Sequence, residues 1–263
     1  MYDYRMKNYL APIQYLVSHF IYEYDISKAN LNVLYSKGVI SKKDYDLIMT
    51  FPRAERQIYF GYLQKDKEKA KILNEGLSEF RKAFIETNNI TSGELLSVKN
   101  DALFLIDTVP QVTKFGNVEF KLKNTYTSFF KLNRLEVYYS LNPITEEEIF
   151  DVKGIDDKLL HLHQDYMIEF LCTVFEKLQT GLIKDILDFI NEFMNKYIRK
   201  ELPIQYYREF NADSLYRISM PGGKQYLFET IGNDNFQYLN ISTNLNIIRD
   251  LYGIVSNIYF NTK

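Results

Sequence analysis

Between Lys67 and Asn88 the apolar residues Leu73, Leu77, Phe80 and Phe84 recur at steps of four, three and four. That spacing puts them on one stripe of an α-helix, and Lys69, Glu75, Glu79 and Lys82 fall on its other face. A helix this long with one apolar stripe needs a second layer to cover it. The flanking sequence supplies strands for that layer. Residues 17 to 24 (VSHFIYEY), 94 to 98 (ELLSV) and 102 to 106 (ALFLI) are rich in aromatic and β-branched types. The expectation is an α+β fold, an antiparallel sheet backed by long helices.

The rest of the chain is punctuated in the same way. Period two along the first strand puts Ile21, Glu23 and Asp25 on one face, and the strand is expected to end at Asp25. Ser27 is placed to cap a helix through Leu31, Leu34 and Tyr35, which Gly38 closes. Ser41 starts a further short helix, and Pro52 stands at the first turn of the next, which carries Arg53 and Arg56. Lys99-Asn100-Asp101 joins two strands as a tight turn with Asp101 at its tip, since Asn tolerates turn conformations well. Strands are expected at residues 118–122, 128–132, 135–141 and 148–152. Helices follow at 166–179, stopped by Thr180 and Gly181, and at 182–200, stopped near Pro203. Short strands and a helix end the chain, with Pro221 to Gly223 as a loop.

Asp25 and Asp101 carry the candidate chemistry. Two carboxylates from separate elements can bridge a pair of divalent ions, and Mg²⁺ takes one or two carboxylates with waters and phosphate oxygens completing its shell. A strand-end aspartate beside a hairpin-tip aspartate has that form. Taken alone, Asp25 also suits a helix N-terminus, and Asp101 suits an ordinary turn.

The order of segments adds a resemblance. Residues 24–31 (YDISKANL) look like motif A of template-directed polymerases, and residues 98–105 (VKNDALFL) look like motif C of family B DNA polymerases. Downstream, residues 121–126 (KLKNTY) are similar to that family's duplex-gripping segment. Residues 151–155 (DVKGI) resemble its following Lys-Gly strand, and the later helix pair resembles its thumb. The resemblance implies the palm and thumb portion of a family B-like polymerase, divided as a palm with minimal fingers (about 41–63) over residues 1–157 and a thumb-like region over 158–263. It implies template-directed nucleotidyl transfer with two Mg²⁺, or Mn²⁺ in their place, held by Asp25 and Asp101. Arg53, Arg56 and Asn30 would meet the nucleotide; Lys121, Lys123, Tyr126 and Lys153 would meet the nucleic acid. Its partners would be primer–template and dNTPs.

Three departures qualify the match. The first motif-C aspartate is Asn100, the fingers lysine has no counterpart, and 75 residues lie between Asp25 and Asp101. With 24 residues before Asp25, a proofreading exonuclease is expected on a second polypeptide. Asn30, five positions after Asp25, is smaller than the residue such enzymes set against the sugar 2′ position, which would admit ribonucleotides. Two other classes compete. Asp101 or Asp107 followed by Glu119 and Lys121 matches the carboxylate and Glu-x-Lys pattern of metal-dependent nucleases, and a palm-like scaffold without catalysis would serve only as a binding factor.

Composition sets the remaining bounds. The chain has 32 Lys+Arg against 34 Asp+Glu, so a nucleic-acid surface must come from segregated charge. A single cysteine, Cys172, fits a buried thiol in a reducing compartment. His161 and His163 are two apart and would not share a helix face, which disfavours a zinc site. The absence of an 18-residue apolar run and of signal-peptide features points to the cytoplasm, with no membrane partner. Abundant Asn, Lys, Ile, Tyr and Phe without Trp suggests an AT-rich source such as a phage.

Overall fold

The computed structural model describes residues 2–142, 144–145, 147–154, 164–207, 217–219, 225–227 and 242–261. Pro221 to Gly223, His161 and His163 lie outside the described residues. The fold is α+β with an antiparallel sheet. Its elements are β1 (Asn8–Leu10), β2 (Tyr15–Ile26), α1 (Ala29–Ser36), α2 (Lys42–Thr50), α3 (Arg53–Leu63), α4 (Lys67–Thr87), β3 (Leu95–Lys99), β4 (Ala102–Ile106), β5 (Lys114–Phe115), β6 (Val118–Leu132), β7 (Leu135–Leu141) and β8 (Glu148–Lys153). After a π-helical turn at Gln164–Ile168 come α5 (Glu169–Thr180) and α6 (Ile183–Arg199). A 3-10 turn (Ile204–Tyr207), β9 (Arg217–Ser219), β10 (Gln225–Leu227) and α7 (Ser242–Asn261) end the chain.

Packing divides the chain into two units, Met1–Ile13 with Phe20–Thr125, and Gln14–His19 with Tyr126–Lys263. This division by packing falls earlier than the functional boundary drawn from the sequence at 157. Strands β2 and β6 contribute residues to both units.

In the first unit the strand order is β1-β3-β4-β2-β6. The register is fixed by the β3–β4 hairpin, in which Lys99 opposes Ala102, and by the β2–β4 pair, in which Asp25 opposes Ala102 and Ile21 opposes Ile106. Alternation sorts the sheet into two faces. Tyr24, Ile26, Leu103, Leu105, Val118 and Phe120 bury against Leu73, Leu77 and Phe84 of α4, the apolar stripe expected from spacing. Glu23 and Asp25 fall on the opposite face, as period two requires.

Helix ends agree with the sequence in most places. Ser41 caps α2 by accepting from the Asp44 N–H, and Asp66 caps α4 through the N–H groups of Glu68 and Lys69. Gly38 follows α1 at φ +71°, the left-handed conformation that a glycine adopts without Cβ strain. Gly76 allows α1 to lie close on α4, because a Cβ there would stand 2.5 Å from Val33 Cγ1. Two local expectations are corrected. Ser27 does not cap α1: the N-cap is Lys28 at φ 49°, with no side-chain cap bond, and the Ser27 N–H donates to the Glu119 carbonyl on β6. Residues 118–132 form one strand rather than two, with Lys121 to Lys123 exposed in its middle.

The second unit carries β6-β7-β8, with Phe130 paired to Val137 and Val137 to Val152. Phe130, Tyr139, Phe175, Ile190, Ile248 and Leu251 share its core with α5, α6 and α7. Phe130 and Phe175 stack with centroids 4.4 Å apart. Cys172 sits in this core, and burial pushes its thiol well above the usual range, which makes it inert.

Candidate functional site

In the first unit one cavity of about 530 Å³ gathers most of the residues singled out from the sequence. Asp25, Asn30, Arg53, Arg56, Asp101, Lys121 and Lys123 all line it, joined by Lys28, Gln57, Phe60 and Leu122. Each arrives for a local reason. The end of β2 delivers Asp25, and the β3–β4 turn delivers Asp101. The Asp101 carbonyl accepts from the Ile26 N–H at 3.2 Å, which stitches the turn to the strand end. Lys121 and Lys123 share a face of β6. Arg53 and Arg56, one helical turn apart on α3, approach from the segment expected to act as fingers.

Both aspartates are held above the usual carboxylate range, and burial is the main cause for each. Burial, then the Asp101 charge, raises Asp25 to a pKa of about 6, with Lys123 pulling the other way. Burial likewise raises Asp101, partly offset by Lys123 and Arg81. Asp25 Oδ1 is buried from water and, among the described residues, has no hydrogen-bond partner. A buried carboxylate oxygen left unbonded costs stability unless a cation or proton completes it. That orphaned oxygen is what an oxygen-preferring divalent ion would fill, so the pair fits Mg²⁺ or Mn²⁺. Among the described residues no group of three or more His, Cys, Asp or Glu is placed to hold a metal, so waters and phosphate oxygens would complete the shell.

The raised Asp25 pKa has a measurable consequence. The folded state holds this proton more tightly than the unfolded chain, whose aspartate titrates near 4, so ionisation destabilises the fold as pH rises from about 4 to about 6. Asp25→Asn is expected to stabilise the metal-free protein at pH 7 by about 1–2 kcal/mol, discounting for partial exposure. The gain should vanish below pH 4. Urea unfolding of both proteins at pH 4 and pH 7 measures it, and a difference independent of pH would contradict the assignment.

Several neighbours were not legible as site residues. Arg81 is buried on α4 at 1% exposure, with its guanidinium donating to the carbonyls of Asn100, Tyr4 and Met6 and to the Tyr2 hydroxyl. The Asn100 N–H in turn donates to the Lys7 carbonyl at 2.7 Å. The turn bearing Asp101 is therefore pinned between α4 and the N-terminal segment. Spacing carried a signal, because Arg81 lies four residues after Leu77 and three before Phe84, on the apolar stripe. Glu23 is buried beside Lys123 (3.1 Å) and Asn124 (2.8 Å), which hold its charge. The Asn32 amide donates to the Ser27 carbonyl and accepts from the Tyr45 hydroxyl, holding the turn after Asp25.

Two expected nucleic-acid residues belong to the second unit and do not line this cavity. Tyr126 is fully buried in the second unit and its hydroxyl donates to Asp151 at 2.9 Å, so it presents no surface to a duplex. Lys153 is ion-paired with the same carboxylate at 2.6 Å.

The molecule is thus an α+β protein whose sheet presents an acidic pair within a cationic cavity. Residues 1–257 match the family described as Bacteriophage PBS1 gene 130 protein, and the chain belongs to that family. The phage source suggested by composition agrees with it. No curated protein matches the chain. Among the described residues no helix is long and apolar enough to cross a membrane.

Proposed function

We propose that the protein is a palm-type nucleotidyltransferase that extends a primer on a template. The observation that carries this reading is the cavity that a strand-end and a hairpin-tip aspartate share with five cationic side chains. The reaction joins a primer 3′-hydroxyl to the α-phosphorus of a dNTP, forming the O–P bond as the bond to pyrophosphate breaks. Asp25 and Asp101 would hold two divalent ions, which supply activation of the attacking hydroxyl and neutralise charge on the leaving phosphates.

Arg53 and Arg56 would grip the triphosphate, since a guanidinium fork matches phosphate oxygens in pairs. One Arg56 nitrogen already donates to the Phe51 carbonyl at 2.7 Å, which fixes that fork against the cavity wall. Asn30 would stand beside the sugar. Lys121 and Lys123, both half or more exposed, would track the primer–template backbone. The setting this reading implies is the host cytoplasm.

The nuclease arrangement differs in what it asks of Asp25. It would use Asp101, Glu119 and Lys121, yet Glu119 is not among the residues lining the cavity and sits in an ion pair with Lys121 at 3.3 Å. Asp25→Asn should spare such a nuclease and abolish primer extension.

Backbone tracking by lysine makes affinity depend on salt. The logarithm of the association constant for primed template should fall linearly with the logarithm of salt concentration. Lys121→Ala and Lys123→Gln should each reduce that slope by about 1. Fluorescence anisotropy across 50–300 mM salt measures this, and a flat dependence would contradict the assigned surface.

A further inference from the structure

A second cavity of about 260 Å³ in the same unit is lined by Lys7, Asn30, Gln64, Asn74 and Asn100 over a floor of Ala70, Leu73 and Leu77. Asn30 lines both this cavity and the larger one that holds Asp25, Asp101 and the arginines. Four carboxamides converge here from α1, the end of α3, α4 and the β3–β4 turn, with no carboxylate among them. Asn30 and Asn74 are half-buried and Gln64 and Asn100 exposed, so these amides are open to a ligand. Carboxamides carry a donor and an acceptor side by side, the pattern that pairs with the edge of a nucleobase. At roughly 30 Å³ per water-sized group, the volume accommodates about nine such groups, the scale of one heterocycle.

We propose that this amide-lined cavity binds the nucleobase of a nucleotide whose phosphates lie in the adjoining acidic and cationic cavity, with Asn30 at the junction. The binding of phosphates next door rests on the nucleotidyl-transfer reading; the base site itself rests on the amide cluster. The consequence is that the protein binds a nucleoside triphosphate before any template is present, and shows a preference among bases that template pairing does not supply.

Calorimetry on the full chain without template tests this, using Mn²⁺ with tripolyphosphate, with each of the four nucleoside triphosphates, and the four nucleosides alone. At least one triphosphate should bind about tenfold or more tighter than tripolyphosphate. Asn74→Leu should bring that affinity down to the tripolyphosphate level while leaving tripolyphosphate binding unchanged. Thermal melting confirms that the variant is folded, and Gln64→Leu, on a separate helix, gives a second readout of the same loss. If all triphosphates bind no tighter than tripolyphosphate in the native protein, the base site is overturned and the nucleotidyl-transfer reading stands. If tripolyphosphate fails to bind yet a nucleoside binds and Asn74→Leu removes it, the base site stands and that reading falls.

Discussion

Asp25→Asn and Asp101→Asn are each expected to lower the rate of primer extension by at least about 10³-fold, with the folded structure retained. The magnitude follows from what each carboxylate supplies. Loss of one anionic ligand from a shared two-ion site removes several kcal/mol of transition-state charge stabilisation, and about 4 kcal/mol corresponds to 10³ in rate. Asn is close in size to Asp and can still occupy the strand end or the turn, so the loss should fall on turnover rather than on folding. Because the two aspartates act on one site, the double variant should be hardly slower than either single one. Single-turnover extension of a labelled primer measures this. Additive losses in the double variant would mean that the two carboxylates work in separate places.

Arg81→Met should destabilise the protein by about 3–5 kcal/mol, the largest stability effect of any single change considered. The guanidinium is buried and satisfies three backbone carbonyls and a hydroxyl. Methionine fills much of the volume but leaves those oxygens without a donor, and each hydrogen bond to a charged group is worth roughly 1.5–3 kcal/mol. Part of that loss is recovered where a carbonyl near the N-terminal segment regains water. Arg81→Lys keeps the charge and one or two of the bonds, so it should recover part of the stability. Loosening the turn also frees Asp101, so Mn²⁺ affinity should weaken in Arg81→Lys under conditions where that variant is fully folded. Equilibrium urea unfolding gives the first quantity and a metal titration the second; a change in stability with unaltered metal affinity would make Arg81 a purely structural residue.

The α4 stripe and the Asp101 turn were readable because local chemistry decides both. A 4-3-4 apolar spacing has few homes besides a helix face, and Asn100 at φ 53° shows the left-handed tolerance that made Asn-Asp a turn. The meeting of Asp25 with Asp101 was readable only as an order of segments, because strand pairing across the intervening helices leaves no local mark. Other features depended on tertiary partners. Ser27 had the chemistry of a cap, but its N–H pairs with Glu119 and its carbonyl with Asn32, and the chain turns through Lys28. Tyr126 carried the composition of a contact residue; only the pairing of β6 with β7 and the position of Asp151 reveal it as core. Arg81 was hidden by the habit of reading a charged residue as exposed, although its place on the stripe was visible. The amides of the smaller cavity come from four separate elements, and nothing in their spacing brings them together.

The central claim is that Asp25 and Asp101 together hold divalent metal, and Mn²⁺ titration followed by electron paramagnetic resonance tests it directly. The account predicts saturable Mn²⁺ binding to the native protein, tightened by a bound nucleoside triphosphate and lost in the Asp25→Asn, Asp101→Asn double variant. Mn²⁺ binding of equal strength in the native protein and the double variant would contradict it.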